Sequence, residues 1–579
     1  MTPLFVAALL ATAPNLQTLA EQTQFQKTGR YEEAVTLCGA FEKAYPNKAR
    51  CDTFGTTPEG RPMVALVVSD GALTPEESKK KLRPVMLFQG GIHAGEIDGK
   101  DAGFWFVRDV LDGKALPGLL TRVTLVFVPV FNIDGHERFG ANNRPNQRGP
   151  EEMGWRVTSQ NLNLNRDYAK ADAPEMAAMI GLLRKWDPII YLDLHVTDGA
   201  KFEHDVAVLI EPSAMGPDVL RRSTSELRDR VMKKLTASKH LPLPFYPSFI
   251  KEDDPMSGFS VGIAPPRFSH GYWPLRNRIG VLVETHSWRP YAYRVKTTYD
   301  CLVTFAEAAK DSGISWTRAA EAADELDKKR GGSELPLVVT ATDKSRTINY
   351  RGYAYTMEPS EISGQKWIKY DEKKPQIWKV PLHDEMKTAV TALLPKSGWI
   401  VPAGYADRVA EKLRIHGFAF RVLDAPIEKL TVSAYRATDA KFRPEPYEGR
   451  QVATLTGAWK DEPQSFSKNS IFIPVDQPGI ALLAHLLEPN APDSLCTWGL
   501  FNSAFEQKEY MEDYVAEEEA RRMMAADPQL KAEFDKKVAE DASFAKDPKA
   551  RLGFFYRRHP AFDARMNLYP VFKLNAPLP

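Results

Sequence analysis

Four short runs of apolar residues dominate the first half of the chain, at 84–89, 125–130, 188–195 and 279–286. Each is almost continuously hydrophobic, the pattern of a strand covered on both faces. Residues 63–68 form a fifth run of the same kind. Between the runs the spacing turns helical: at 29–46 (Tyr31, Ala34, Val35, Leu37, Cys38, Phe41), at 98–111, at 174–185 and at 291–310. Alternation of strand and helix predicts an α/β fold with a mixed, largely parallel sheet flanked by helices. Residues 51–62 read as turn-rich. Residues 136–166 read as a long polar loop rich in Asn, Arg and Gly, a length that inside a compact domain usually serves function. The pattern then changes. A charged stretch at 318–334, ending in Gly331-Gly332, predicts a helical linker. Beyond it come strands at 335–341, 351–357 and 430–437, a helix at 405–416 and charged helical spacing at 504–548. This organisation predicts one domain over 25–315, a linker over 316–334, and a C-terminal β-rich accessory α+β domain with a helical cap over 335–579.

At 579 residues the chain is too long for a single core, in keeping with that division. Its formal net charge of +1 gives no electrostatic case for a nucleic-acid partner. No internal repeat or low-complexity block interrupts it. The apolar start, residues 1–13, is too short to span a bilayer. It ends in Ala11-Thr12-Ala13, a small-x-small cleavage pattern, although a basic n-region is missing. This predicts a signal peptide and a secreted or periplasmic protein. Cys38, Cys51, Cys301 and Cys496 make no zinc-knuckle spacing. Cys38 and Cys51 flank a short segment and either bridge after export or remain buried thiols.

The chemistry gathers where the apolar runs end. The first runs into Gly90-Gly91-Ile92-His93-Ala94-Gly95-Glu96, the third ends on His195, and the fourth on Glu284-Thr285-His286. Imidazole and carboxylate are both zinc ligands. His93 and Glu96, three apart at the start of a helix, share one face. If the strands are neighbours, all these side chains meet at the carboxyl end of the sheet, where α/β proteins bind ligands. Two His and one Glu leave a fourth zinc position open, the catalytic arrangement. Zinc lowers the pKa of a water in that position, and Glu284 is the carboxylate available to take its proton. After residue 331 no metal-ligand cluster is legible.

In this constellation the chain resembles the zinc carboxypeptidase family, to which carboxypeptidase A belongs. The resembling residues are His93-Ala94-Gly95-Glu96, Asn132-Ile133-Asp134-Gly135, Asn165-Arg166, Leu194-His195 and Val283-Glu284, in the family's order, over about residues 60–310. The resemblance implies His93, Glu96 and His195 as ligands of one zinc per chain, and Glu284 as general base. It implies Asn165 and Arg166 as the grip on a substrate's terminal carboxylate, a task suited to a planar guanidinium. An upstream Arg that polarises the scissile carbonyl corresponds to Arg148, with Arg144 as the alternative; these two and Arg156 also read as solvated loop charge. The family's Asp that orients a zinc-binding His is replaced by Asn163. Tyr272 is the nearest candidate for a substrate-capping tyrosine, although it sits closer to Glu284 than the family pattern puts it. His204, His270 and His286 read as packing or supporting residues.

The resemblance therefore implies a zinc metallopeptidase of carboxypeptidase type acting on peptides. Two other readings remain at this point: a zinc amidase or deacylase acting on acylated amino acids or cell-wall peptides, and a binding protein that kept the fold without catalysis. The filled catalytic positions count against the last.

Overall fold

The apolar runs lie at the middle of an eight-stranded mixed sheet in the computed structural model, which describes residues 15–197 and 199–579. The predicted signal peptide lies outside the described residues. The strands are β1 (Ala49–Thr56), β2 (Pro62–Val68), β3 (Val85–Gly90), β4 (Thr124–Val128), β5 (Ile190–Thr197), β6 (Val206–Glu211), β7 (Pro242–Leu243) and β9 (Ile279–His286), while β8 (Phe259–Ser260) lies outside this sheet. Their spatial order is β1-β2-β4-β3-β5-β9-β6-β7. The central pairs β3–β4, β3–β5 and β5–β9 are parallel, and antiparallel pairs flank them. β3, β4, β5 and β9 are buried along their whole length, which is why they read as unbroken apolar runs.

The predicted helices form at Tyr31–Ala44, Asp98–Leu111 and Pro174–Trp186. The last begins on Pro174, whose missing N–H costs nothing at a first helical position, and stops on Asp187 in the left-handed region. Two elements differ from expectation. Residues 49–56, partly inside the stretch read as turns, are the edge strand β1, whose residues are largely half-exposed and polar; the turn follows at Thr57–Arg61. The helix Asp218–Ala237 has a low apolar content and was not legible. Cys38 and Cys51 are bridged, with Cα atoms 5.4 Å apart, tying the helix Tyr31–Ala44 to β1. Cys301 and Cys496 are buried free thiols.

The helix predicted at 291–310 runs unbroken over Tyr291–Asp327, so most of the segment read as a separate linker is the end of that helix. It buries Cys301, Phe305, Trp316, Ala320 and Ala323. The C-terminal region is rich in strands, as expected. β10 (Glu334–Ala341) pairs with β13 (Met386–Leu393), and β11 (Arg346–Pro359) with β12 (Lys366–His383) form a long hairpin that adds β8 at its base. A six-stranded sheet includes Gly398–Val401, Ile427–Phe442 and Ala453–Phe466. Four helices between Asp513 and Tyr556 close over a small cluster of Leu530, Phe534, Phe544, Phe554 and Phe555; side chains of Asp527, Asp541 and Asp547 cap three of them. The main core is continuous between the two regions: Phe88 and Leu192 belong to the same packed cluster as Trp316, Leu335, Trp399 and Leu483. Among the described residues, no helix is long and apolar enough to cross a membrane.

Candidate functional site

The strand β3 ends in a glycine pair because the chain must turn tightly there. A Cβ on Gly90 would stand 2.9 Å from the Lys100 nitrogen and 2.9 Å from the Pro129 oxygen, and Gly91 has φ +64°. The next residues form a turn closed by Glu96 N–H donating to the His93 carbonyl at 2.9 Å, and the helix starts only at Asp98. His93 and Glu96 thus share a side through one turn preceding the helix, not through the helix itself.

His195 reaches the same place from β5. Glu96 accepts at 2.9 Å from His93 Nδ1 on one oxygen and lies 2.9 Å from His195 Nδ1 on the other. The Val196 amide also donates to that second oxygen at 3.0 Å. The two imidazole rings stand 5.0 Å apart between centroids, nearly edge to face. All three residues are buried, and one ligand-type atom from each lies within 4.8 Å of the other two; this is the only such group of His, Cys, Asp and Glu among the described residues. In the parallel register of β5 and β9, Glu284 stands directly beside His195, and it too is buried.

The electrostatics fit a cation. Burial acts to raise the Glu96 carboxyl, but the charges of His93 and Arg144 and hydrogen bonds from both histidines hold it well below the usual carboxylate range. Burial likewise opposes charge on His195, yet Asp193 and Glu284 hold its pKa well above that of an ordinary imidazole. Both its nitrogens face carboxylates: Nδ1 toward Glu96, and Nε2 toward Asp193 Oδ2 at 2.9 Å. His93 is pushed down to about 4 by burial. Two imidazoles and a carboxylate gathered out of solvent suit a borderline metal such as zinc. Asp193 lies against the far nitrogen of His195, which leaves Nδ1 for an ion.

Asp193 is the main residue missed from sequence. It lies two positions before His195 on a strand, hence on the same face, is fully buried, and accepts from Ser269 Oγ at 2.6 Å. The carboxylate that lies against His195 is therefore Asp193, while the Asn163 Oδ1 accepts from the Asn165 amide at 3.0 Å. A second missed pair is Asp98 with Arg294, both buried and 3.0 Å apart. Arg294 also donates to the Arg148 and Gly149 carbonyls at 2.7 and 2.9 Å, pinning the loop that leads out of the site.

The loop arginines are placed differently from the first choice that the resemblance implied. Arg148 points outward to Glu372 of β12, 2.6 Å away, and does not join the cluster. Arg144 is buried with Nη2 3.0 Å from Glu96, and Arg156 lies 3.6 Å from the same oxygen. Tyr272 is not at a cleft. It is fully buried against Tyr168 and bonded to His416 Nδ1 at 2.9 Å, because its short helix packs into the core. A different tyrosine, Tyr246, stands near the strand end: its hydroxyl accepts from Thr197, two residues past His195, at 3.3 Å, and the residue is 39% exposed. Asn165 is buried, and its Oδ1 has no hydrogen-bond partner among the described residues. Arg166 donates through Nη1 to the Asn165 carbonyl and carries its guanidinium 4.5 Å over the Phe268 ring. His286 stacks on Phe202 at 3.9 Å, His204 bonds the Leu241 carbonyl, and His270 is buried near Asp193; none of them joins the cluster.

Residues 35–205 match the family model of zinc carboxypeptidases. Carboxypeptidase D of Drosophila melanogaster is 26% identical over 200 residues, covering 30% of this chain and 14% of that protein. The chain thus spans about one seventh of the length of this curated relative. Among solved structures, a metallo-carboxypeptidase from Burkholderia cenocepacia matches at 17% identity and a TM-score of 0.36, over 48% of this chain and 69% of that one. Carboxypeptidase A from Helicoverpa armigera matches at 15% identity and a TM-score of 0.35, over 52% and 75%.

Proposed function

We propose that this chain, which carries a zinc carboxypeptidase domain over residues 35–205, is a zinc-dependent peptide hydrolase that removes a C-terminal residue. The observation that carries the reading is the register of β5 and β9, which sets Glu284 beside His195, itself one of the buried group of His93, Glu96 and His195. His93, Glu96 and His195 would hold the ion. Zinc at such a centre supplies Lewis acidity toward a carbonyl and toward water.

The chain's own residues would do the rest. Glu284 accepts a proton from the attacking water and returns it to the leaving amine. Arg144, with Arg156 beside it, presents fixed positive charge where the carbonyl oxygen becomes negative, the part for which Arg144 was the alternative to Arg148 in the resemblance. Asn165 and Arg166 hold the terminal carboxylate. Among the described residues Arg166 has no acidic ion-pair partner, so its charge remains to be met by a ligand. Tyr246 takes the capping part in place of the core residue Tyr272. The reading extends to an exported protein, supported by the Cys38–Cys51 bridge, since disulfides persist in oxidising compartments.

The test is Glu284→Gln alongside His195→Ala. The first should retain about one metal ion per chain by elemental analysis and lose roughly 10²- to 10⁴-fold in turnover, the span of general-base catalysis. The second should lose the metal. Near-normal turnover in Glu284→Gln rejects the base assignment.

A further inference from the structure

The C-terminal region reaches back to the segment that carries Asn165 and Arg166. The strands Ile427–Phe442 and Ala453–Phe466 are joined by a long connection that includes a tight turn, closed by Tyr447 and Arg450 exchanging backbone hydrogen bonds at 2.8 and 3.0 Å. Its two central residues, Glu448 and Gly449, have φ of 50° and 73°, the left-handed pair of a type I′ turn. Three contacts clamp this turn onto residues 163–172. Glu448 accepts from the Asn163 amide at 2.9 Å. Arg450 grips Asp172 through two bonds of 2.7 and 2.9 Å. The Tyr447 hydroxyl accepts from Arg166 Nε at 3.1 Å.

The third contact differs in kind from the other two, because among the described residues Arg166 has no acidic ion-pair partner. Its guanidinium is planar and rigid, and its value to a carboxylate ligand lies in the direction of its donors. That direction is set on three sides: by the Asn165 carbonyl on Nη1, by the Phe268 ring beneath the plane, and by Tyr447 on Nε. Tyr447 is itself held, its ring stacked on Trp498 at 5.9 Å and 8°. From this arrangement we infer that Tyr447 is a positioning residue for the Arg166 guanidinium, so that the C-terminal region completes the site that recognises the substrate's carboxylate. The inference rests on the carboxylate-binding role proposed above for Arg166.

The experiment measures binding in a Glu284→Gln background, so that nothing turns over. The probes are N-acetylated dipeptides ending in phenylalanine, leucine, lysine or glutamate, each as free acid and as C-terminal amide, titrated calorimetrically into the zinc-loaded full chain. With native Tyr447, the acid of the preferred dipeptide should bind more tightly than its amide. Tyr447→Phe keeps the stacked ring and removes only the hydroxyl. It should weaken binding of the acid about tenfold and leave the amide unchanged, with metal content and melting temperature as in the parent. An acid-to-amide preference that survives Tyr447→Phe intact overturns the positioning role while leaving the Arg166 assignment standing. Absence of any acid preference with native Tyr447 overturns the Arg166 assignment itself, and the inference with it.

Discussion

Replacing Asp193 by asparagine tests whether the metal site depends on a residue that would not touch the ion. The native contact is short and dry: Asp193 Oδ2 stands 2.9 Å from His195 Nε2, and the carboxylate is fully buried. The same oxygen accepts from Ser269 Oγ at 2.6 Å. An amide of nearly equal size can still accept the ring N–H through its oxygen, so the tautomer of His195 should persist. What disappears is the negative charge that makes Nδ1 a better donor to a cation. Loss of such a supporting partner typically costs 10- to 100-fold in metal affinity, or about 1.4 to 2.7 kcal/mol. Retention of a polar oxygen beside Nε2 argues for about tenfold in Asp193→Asn. In Asp193→Ala the Ser269 hydroxyl is stranded as well, which argues for the upper end. The assay is competition for zinc against a chelator of known affinity at fixed pH, with near-ultraviolet dichroism as the check on folding. A zinc affinity in Asp193→Ala equal to that of the parent refutes the idea that this carboxylate supports the ligand.

Two other outcomes follow from features away from the site. The Cys38–Cys51 bridge closes a loop of sequence separation 13, for which the chain-entropy relation gives about 3 kcal/mol; reductant should lower the denaturant midpoint of the native protein and leave that of the double alanine variant unmoved, and a midpoint indifferent to reductant in both would contradict this. His240 lies between Asp205 at 2.8 Å and Asp300 at 3.1 Å; burial works to lower its pKa, but the hydrogen bonds to both carboxylates raise it to about 9. Its folded pKa exceeds the ordinary 6.5, so its contribution is complete below pH 6.5 and drains away as pH rises to about 9. His240→Gln should flatten the stability profile across that window, and an unchanged slope would count against the assignment.

What the sequence made legible follows from burial. Strands covered on both faces must be apolar throughout, so β3, β5 and β9 announce themselves, and the polar residues that end them stand out for the same reason. His93, Glu96, His195 and Glu284 were found in that way, and parallel neighbours bring strand ends together without any knowledge of loops. The loop residues had no such guide. Arg144 and Arg148 differ by one helical turn in spacing, but what separates them is Glu372, 224 residues downstream of Arg148, and the grip of Arg294 on the Arg148 backbone. Tyr272 is the nearest tyrosine before Glu284 in sequence, yet its partner His416 comes from a helix of the C-terminal region. The strands Lys366–His383 and Ala453–Phe466 expose polar faces and carry too little apolar alternation to be seen. Asp193 was within reach: period-two spacing on a strand puts it on the face of His195.

The helix Tyr291–Asp327 is 37 residues long, about 55 Å at 1.5 Å per residue. It starts against the first sheet and ends where the C-terminal strands begin, with buried side chains along its full length. It works as a shared spine. A recombination event that traded one C-terminal region for another could not do so at a loose hinge, because the joint is itself load-carrying helix. The incoming partner would have to fit the core cluster in which Trp316 and Ala320 pack with Leu335, Trp399 and Leu483, so the two regions are expected to have been inherited together.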